Sequence, residues 1–309
     1  MMSKIKDFIT ISRLRILMAT PAQPLLGIVF AANSLLDFIN IYLVHFMILY
    51  FISILFAVHI NCYCDRDLDI KYKKHLANAV DGLGKPLIRK ILVVETCLIF
   101  IFSIYLIWVG YFIVGLNSII GWGISTSYSA LPLRIKKRGF LSAFPIIIGL
   151  FMFPFINGWL MISNYITLFG ILFLIGYILL NQGMNLINTA EDYDEDLSLG
   201  VKTWAHVFGL KRTFNISIVF ISTGGACCII GLLMKLLIID LFLYNTALSA
   251  SFIVLSVYFI LKTINDIYFV SRQEDLKKAA KENSYKMPLW FASTRYPMLI
   301  AAFCMLLPF

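Results

Sequence analysis

Charged residues are scarce in this chain of 309 residues, at 14%, whereas 60% of its residues are apolar. An ordinary soluble domain carries roughly 25% charged residues and needs them to cover its surface. The composition therefore argues against a water-soluble globule, and it excludes a disordered chain. The six cysteines lie mostly in apolar stretches, which favours buried free thiols over a disulfide framework. The sequence also lacks a Walker A string, a G-x-S-x-G nucleophile motif and an H-E-x-x-H zinc motif.

Long apolar runs fill most of the chain. A helix that crosses a bilayer needs about 20 predominantly apolar residues. The runs are continuous and lack the period-two alternation of barrel strands. The sequence therefore predicts an all-α, multi-pass membrane protein, a single domain over residues 1–309 with about nine transmembrane helices. The nine runs lie at 16–33, 38–60, 90–108, 111–127, 141–162, 165–187, 213–234, 240–261 and 289–308.

The connections between the runs alternate in charge. Those after the first, third, fifth and seventh runs are short, and Lys235 is their only lysine or arginine. The other connections and the N-terminal segment carry nearly all the remaining basic residues, so the positive-inside rule places them in the cytoplasm. The net charge of +9 is then explained by topology and by anionic headgroups. We expect membrane lipids, and no nucleic acid, as partners.

The acidic residues are unevenly placed as well. Eight of the 17 lie in two short segments, 61–69 and 191–196, after the second and the sixth runs. These positions are four helices apart and have the same orientation. The pattern predicts an internal duplication into pseudo-repeats of about four helices, 12–127 and 141–262, with a ninth helix at 289–308.

Both acidic segments contain the pattern N-x-x-x-D-x-x-x-D. It is formed by Asn61, Asp65 and Asp69 in the first motif and by Asn188, Asp192 and Asp196 in the second. A spacing of four places side chains on one face of a helix, where stacked carboxylates need a cation. Oxygen ligands of this kind suit Mg²⁺, and two acidic faces can hold a pair of ions that clamp a diphosphate. The alternative is that the acids only solvate loop ends, but a repeated spacing in an acid-poor chain argues against it.

Basic and hydroxyl side chains follow the same ends of the predicted helices. They are candidates for neutralising and holding a diphosphate, although a basic loop that only sets topology is the alternative. The candidates are Lys74 with its neighbours Lys71 and Lys73, Lys202, and, in "YSALPLRIKKRG", Tyr128, Ser129, Arg134 and Lys136.

Other polar residues receive less weight. His59, Cys62 and Cys64 suggest a soft-metal site, but a second cysteine pair is missing. Glu95 falls inside the third run, where an acid is either functional or reaches the headgroups from near a helix end. Arg295 falls inside the ninth run and either snorkels to the surface or faces a polar interior.

Taken together, these segments resemble the UbiA superfamily of intramembrane prenyltransferases. The matching strings are "SRLRIL", "NCYCDRDLD", "YSALPLRIKKRG" and "NTAEDYDEDLSLGVKTWAHVFG". The resemblance implies a ring of helices around a central cavity, with both aspartate motifs at the cytoplasmic side. It implies ionisation of an allylic prenyl diphosphate and capture of the cation by a lipophilic acceptor.

The resemblance also implies roles for individual residues. Mg²⁺ binds through Asp65, Asp69, Asp192 and Asp196, and Asn61 and Asn188 contact the metal or the diphosphate. Arg13 or Arg15, Lys74, Tyr128, Arg134, Lys136 and Lys202 are the implied diphosphate contacts. Cys62 stands where the family usually has an aspartate, and Leu14 where it has a proline.

Two other functions stay open at this point. A terpene cyclase uses the same metals, but the cation is captured by double bonds of its own chain. A secondary transporter is the alternative from another class, since duplicated bundles with acids are common there. Transporters bind near the midplane through broken helices, whereas these acids lie at one membrane face.

Overall fold

The computed structural model describes residues 2–198, 200–239 and 243–308, and within these ranges the chain is helical and contains no strand. The predicted all-α class is therefore confirmed for the described residues. A π-helical segment, Ile146–Met152, joins two of the helices into one helical stretch, Gly139–Leu160. In chain order the helices are α1 (Met2–Ile11), α2 (Leu14–Ala19), α3 (Ala22–Ala31), α4 (Ile41–Tyr72), α5 (Lys74–Leu83), α6 (Lys85–Trp108), α7 (Phe112–Ser129), α8 (Ala143–Pro145), α9 (Phe153–Leu160), α10 (Leu168–Glu191), α11 (Tyr193–Ser198), α12 (Trp204–Phe208), α13 (Leu210–Ile238), α14 (Leu243–Ser271), α15 (Leu276–Asn283) and α16 (Met287–Cys304).

Six described helical segments are long and apolar enough to cross a membrane. They correspond to the second, third and fifth to eighth predicted runs. The first run is divided at Thr20–Pro21 into α2 and the short apolar helix α3. The fourth and ninth runs form α7 and α16, whose serine, threonine and arginine residues lower their hydropathy. That all nine runs cross the membrane stays a prediction.

The chain is organised as two compact units. Unit one comprises Met1–Pro21 and Asn40–Lys136, and unit two comprises Ala22–Ile39 and Lys137–Phe309. The segment 22–39 thus belongs with the later part of the chain, although it is flanked in sequence by unit one.

Unit one is built around the long helix α4. The Asn40 side chain caps the start of this helix by accepting a hydrogen bond from the Tyr42 backbone at 2.9 Å. Helices α5, α6 and α7 pack against α4, and α1 packs against α5. Gly84, with φ of 81°, provides the left-handed turn between α5 and α6.

Unit two is centred on the pair α10 and α13, which pack closely along their lengths. A Cβ on Gly176 would lie 2.6 Å from the backbone oxygen of Gly224, so only glycine permits this approach. Helix α14 packs against α13 and α16, and α3 packs against α9 and α16.

Two buried cations stabilise unit two. The Lys235 ammonium donates to the backbone oxygens of Val29, Phe30 and Ala32 at 2.7, 2.8 and 3.1 Å and thereby satisfies the end of α3. Arg295 is buried and donates through Nε to the Asn181 side-chain oxygen at 2.9 Å. It therefore faces the interior of unit two rather than snorkelling to the surface.

Candidate active site

The first aspartate motif lies on the last turns of α4. Asn61, Asp65 and Asp69 share this one continuous helix, as the spacing predicts. Asp69 is 3% exposed, and within the described part of the chain no hydrogen-bond partner faces its Oδ2. A buried carboxylate oxygen without a partner is unfavourable unless a cation or donor arrives to satisfy it.

Asp65 is surrounded by basic groups from the segment after α7. The Lys136 ammonium donates to both Asp65 carboxylate oxygens, and Arg134 Nη2 donates to Oδ1 at 3.0 Å. Burial lowers the pKa of Lys136, although the adjacent Asp65 opposes this shift. The two predicted basic residues and the first motif are therefore brought together in unit one.

Two more predicted residues lie beside Asp65. Asn61 Nδ2 donates to the Ser129 hydroxyl at 3.5 Å, and Ser129, the last residue of α7, is buried. The end of α7 thus meets the motif face of α4. This arrangement collects amide, hydroxyl, carboxylate and cationic groups in one place, a set suited to a phosphorylated ligand.

Two acids near the first motif, Asp67 and Asp81, are hydrogen-bonded to Arg66. Arg66 Nε and Nη2 donate to the two oxygens of Asp81 at 2.8 and 2.6 Å, and Nη1 donates to Asp67 at 2.8 Å. These hydrogen bonds lower the pKa of Asp81 below its usual range. Asp67 therefore points away from the motif, and this pairing of Arg66 was not foreseen from the sequence.

The second motif does not lie on one continuous helix, contrary to the spacing prediction. Asn188 belongs to α10, Asp192 follows the end of that helix, and Asp196 lies in α11. The Asp196 backbone N–H still bonds to the Asp192 oxygen at 2.8 Å. Negative charge is unfavourable at a helix C-terminus and favourable in a first turn, so five closely spaced acids promote an end to α10 and a new start.

Aromatic and basic groups contact residues inside the second motif and in the segment that follows it. The His206 and Tyr193 rings stack at 4.2 Å, and Lys277 Nζ donates to Asp194 at 2.6 Å. This bond raises the pKa of Lys277. Lys202 is exposed and forms a backbone bridge with Arg138, so the two basic residues are neighbours in unit two.

The remaining predicted residues do not take part in the contacts with Asp65 given above, or their side chains lie outside the described residues. Lys74 is exposed at the start of α5, in a helix where a loop was expected, and Tyr128 is half-buried in α7. Arg13 is the second of the two residues between α1 and α2, and its charge interacts electrostatically with Asp69. The side chain of Arg15 lies outside the described residues.

One group of buried residues was missed by the sequence reasoning. His59 Nδ1 lies 2.7 Å from Glu95 Oε1, and His59 Nε2 lies 3.0 Å from the Ser12 hydroxyl. Both ring nitrogens of His59, one of the three residues of the suggested soft-metal site, are thus within hydrogen-bond distance of other side chains. The signal available in the sequence was a histidine and a glutamate inside two different apolar runs.

The structure resembles several solved structures, all at low sequence identity. A UbiA homologue from Archaeoglobus fulgidus matches with a TM-score of 0.68 and 13% identity over 97% of this chain and 99% of that chain. A structure of a UbiA homologue from A. fulgidus bound to GPP and Mg²⁺ matches with a TM-score of 0.64 and 15% identity, over 95% of this chain and 99% of that chain.

A structure described as digeranylgeranylglyceryl phosphate synthase in membranes matches with a TM-score of 0.65 and 14% identity, over 97% of this chain and 99% of that chain. At these identities the likeness establishes the shared fold alone. No curated protein matches the sequence. The sequence model of the UbiA prenyltransferase family matches residues 22–273. Because that match spans most of the chain, this protein belongs to the UbiA prenyltransferase family.

Proposed function

We propose that this integral membrane protein transfers an isoprenyl group from an allylic prenyl diphosphate to a lipophilic acceptor. The observation that carries this proposal is the end of α4, where Asp65 and Asp69 lie one turn apart beside Lys136 and Arg134. Carboxylates alone would suit a metal, and basic residues alone would suit a phosphate. Both kinds of group in one place suit a metal diphosphate.

The residues at the end of α4 fit Mg²⁺. This ion is usually held by one or two carboxylates together with waters and substrate phosphate oxygens. Asp69 supplies a buried Oδ2 that has no hydrogen-bond partner among the described residues, and Asp65 supplies a second carboxylate one turn earlier. In the second motif Asp192 and Asp196 offer the equivalent pair, and we propose that they hold Mg²⁺ as well. When bound, the metal neutralises diphosphate charge and promotes its departure.

The residues of the chain contribute binding, orientation and charge. We propose that Lys136 and Arg134 turn from Asp65 to the diphosphate oxygens and stabilise the negative charge that develops as it leaves. Asn61 and Ser129 donate to the same oxygens, and Tyr128 is a further donor nearby in α7. In the second motif Asn188 is the equivalent amide, and we propose Lys202 as a further cation for a phosphate group.

The reaction then consists of one bond broken and one bond formed. The C–O bond of the allylic diphosphate breaks, and its electron pair leaves with the diphosphate. An electron pair of the acceptor forms the new bond to the allylic carbon, and the acceptor afterwards releases a proton. The A. fulgidus homologue bound to GPP and Mg²⁺ supports this substrate class, as does the corresponding structure bound to DMAPP and Mg²⁺.

Diphosphate release by the purified protein tests the proposal. The protein in nanodiscs is incubated with geranyl, farnesyl or geranylgeranyl diphosphate, with Mg²⁺ or with EDTA, and with lipid extract as the source of acceptors. We expect release of diphosphate that needs Mg²⁺ and a prenylated product detectable by mass spectrometry. Asp65→Asn and Asp192→Asn are each expected to abolish release while the protein remains folded.

Other outcomes identify other functions. A cyclised hydrocarbon formed without any acceptor would replace the transferase by a terpene cyclase. Absence of turnover with every diphosphate, combined with substrate flux into liposomes, would overturn the enzymatic function in favour of transport.

A further inference from the structure

Three buried side chains link the N-terminal segment to the core of unit one. Glu95 of α6 accepts from His59 Nδ1 of α4 at 2.7 Å, and His59 Nε2 lies 3.0 Å from the Ser12 hydroxyl. Ser12 and His59 are 3% and 0% exposed, and Glu95 is 7% exposed. These three hydrogen-bonded side chains are therefore too buried to contact a substrate directly. Any role they have in the site is exerted through the N-terminal segment that they hold against α4.

Helix α4 holds the end of α1 at three successive points. The Phe8 ring lies against the His59 ring, with centroids 5.2 Å apart, and the Cys62 thiol lies 3.6 Å from the Ile11 oxygen. Ser12 makes the third contact, and its hydroxyl also donates to the Phe8 oxygen at 2.8 Å. These contacts fix the backbone up to the residue that precedes Arg13.

Arg13 has a backbone conformation that needs such support. Its φ and ψ are 47° and 56°, in the left-handed region that residues with a Cβ rarely adopt. Within the described chain, Arg134 is the one other non-glycine residue with positive φ, at 39°. Strained residues of this kind persist where the surroundings hold them and are concentrated at functional sites.

Both strained arginines interact with the first motif. Arg134 donates to Asp65 at 3.0 Å, and Arg13 interacts electrostatically with Asp69. Within the described residues, Arg13 Nε is buried and has no hydrogen-bond partner. Among the described residues, Arg13 therefore has an unused donor, Nε, and the nearby Asp69 has an unused acceptor, Oδ2.

We propose that Ser12, His59 and Glu95 are positioning residues that hold Arg13 in its left-handed conformation, so that its guanidinium is fixed beside Asp69 to bind the substrate diphosphate. This inference rests on the proposed function, and it selects Arg13 as the arginine that binds. Flexible arginine side chains lose entropy when they are ordered on a ligand, and a guanidinium fixed in advance avoids part of that loss.

A double-mutant cycle on ligand affinity tests the inference. The probe is geranyl S-thiolodiphosphate with Mg²⁺, and its Kd is measured by calorimetry on the protein in nanodiscs. We expect Arg13→Gln to raise Kd about tenfold through loss of a charge-assisted contact. Ser12→Ala and His59→Phe are expected to raise Kd about fivefold in the native background and not at all in the Arg13→Gln background, because contacting residues are coupled.

Two further variants separate positioning from general stability. Glu95→Gln keeps an acceptor oxygen for His59 Nδ1 and is expected to bind within twofold of the native protein, whereas Glu95→Leu should bind as weakly as Ser12→Ala. The matched control is Ser53→Ala, because Ser53 lies on α4 and donates to the Leu49 oxygen at 2.8 Å in the same local manner. We expect this control to leave Kd unchanged.

The outcomes distinguish failure of the inference from failure of the proposed function. A native protein that does not bind the probe would overturn the proposed function, and the inference with it. Native binding with equal, additive effects of Ser12→Ala in both backgrounds would overturn the inference alone. If His59→Phe is poorly folded, His59→Gln and the Glu95 pair supply the same comparison with smaller changes in volume.

Discussion

At the scale of single residues, the acidic segment 61–69 contains two kinds of aspartate. Asp65 and Asp69 lie on the motif face of α4, whereas Asp67 is paired with Arg66 and its side chain is 78% exposed. The three carboxylates are close in sequence and chemically identical. Because only their surroundings differ, substituting these aspartates one at a time separates the effect of position from the effect of charge.

We predict that Asp69→Asn lowers the rate of diphosphate release more than a hundredfold, because a proposed metal ligand is lost, and that Asp67→Asn stays within threefold of the native rate. Both rates are measured with geranylgeranyl diphosphate at saturating Mg²⁺. An equal loss in the two variants would indicate that the acidic segment acts only through its total charge.

The sequence predicted which residues form the first motif, because a helical spacing of four fixes a face without help from the rest of the fold. Its partners Arg134 and Lys136 were identified only as members of a basic string. Arg138, from the same string, lies instead next to Lys202 in unit two. The sorting of that string depends on the path of the segment after α7, which no local spacing determines.

At the scale of elements, the close pair α10 and α13 depends on glycines that face each other. A Cβ on Gly224 would lie 2.6 Å from the Gly176 oxygen, closer than real Cβ contacts. By contrast, a Cβ on Gly123 of α7 would meet no atom within 4 Å among the described residues.

We predict that Gly224→Ala destabilises the protein by about 1–3 kcal/mol, because the two backbones are forced apart. Gly123→Ala is the matched control and should be neutral or stabilising by up to about 1 kcal/mol, since alanine favours helix. Thermal unfolding in one detergent compares the two. Equal melting temperatures would contradict the close packing of α10 and α13.

A second element-scale prediction concerns the end of α3. We expect Lys235→Met to lower the free energy of unfolding by about 2 kcal/mol, because three buried carbonyl oxygens lose their donor while the side-chain volume is nearly kept. Lys262 is an exposed lysine on α14, and Lys262→Met should leave the melting temperature unchanged. A melting temperature of Lys235→Met equal to that of the control would show that other donors replace the ammonium.

The helices themselves were well predicted, but several of their ends were not. Apolar runs predict helices because the bilayer leaves few other ways to pair backbone groups. The second apolar run ends at residue 60, but the spacing of the first motif predicted a helix beyond that point, and α4 does continue through the motif to Tyr72. That extension is stabilised by the packing of α5 and by the Arg66–Asp81 pair, which are tertiary contacts.

At the scale of the whole molecule, the distribution of lysine and arginine predicts one orientation. The segment around Asp81 and both aspartate motifs should face the cytoplasm, and the short connection at Asn164 should face the opposite side. Alkaline phosphatase, which is active only outside the cytoplasm, tests this orientation in bacterial cells. We expect activity for a fusion after Asn164 and none for a fusion after Asp81, and the reverse for a fluorescent protein that folds only inside. Activity at both positions would contradict the predicted topology.

The division into units was beyond the reach of sequence patterns. Acid spacing predicted two pseudo-repeats that begin at residue 12 and residue 141, and this duplication remains a prediction. That residues 22–39 pack with the later helices follows from contacts more than a hundred residues apart, such as Lys235 with Val29. Pairings of this kind leave no periodic trace in the chain.

The membership of Ala22–Ile39 in unit two has a consequence for biosynthesis. Helix α3 leaves the ribosome early, but its partners α9 and α16, and the lysine that satisfies its end, are synthesised much later. The carbonyls at the end of α3 therefore lack the Lys235 donor until residue 235 has been translated. Unit one can assemble before α16 has been synthesised, whereas unit two, which contains α16, cannot be completed until then.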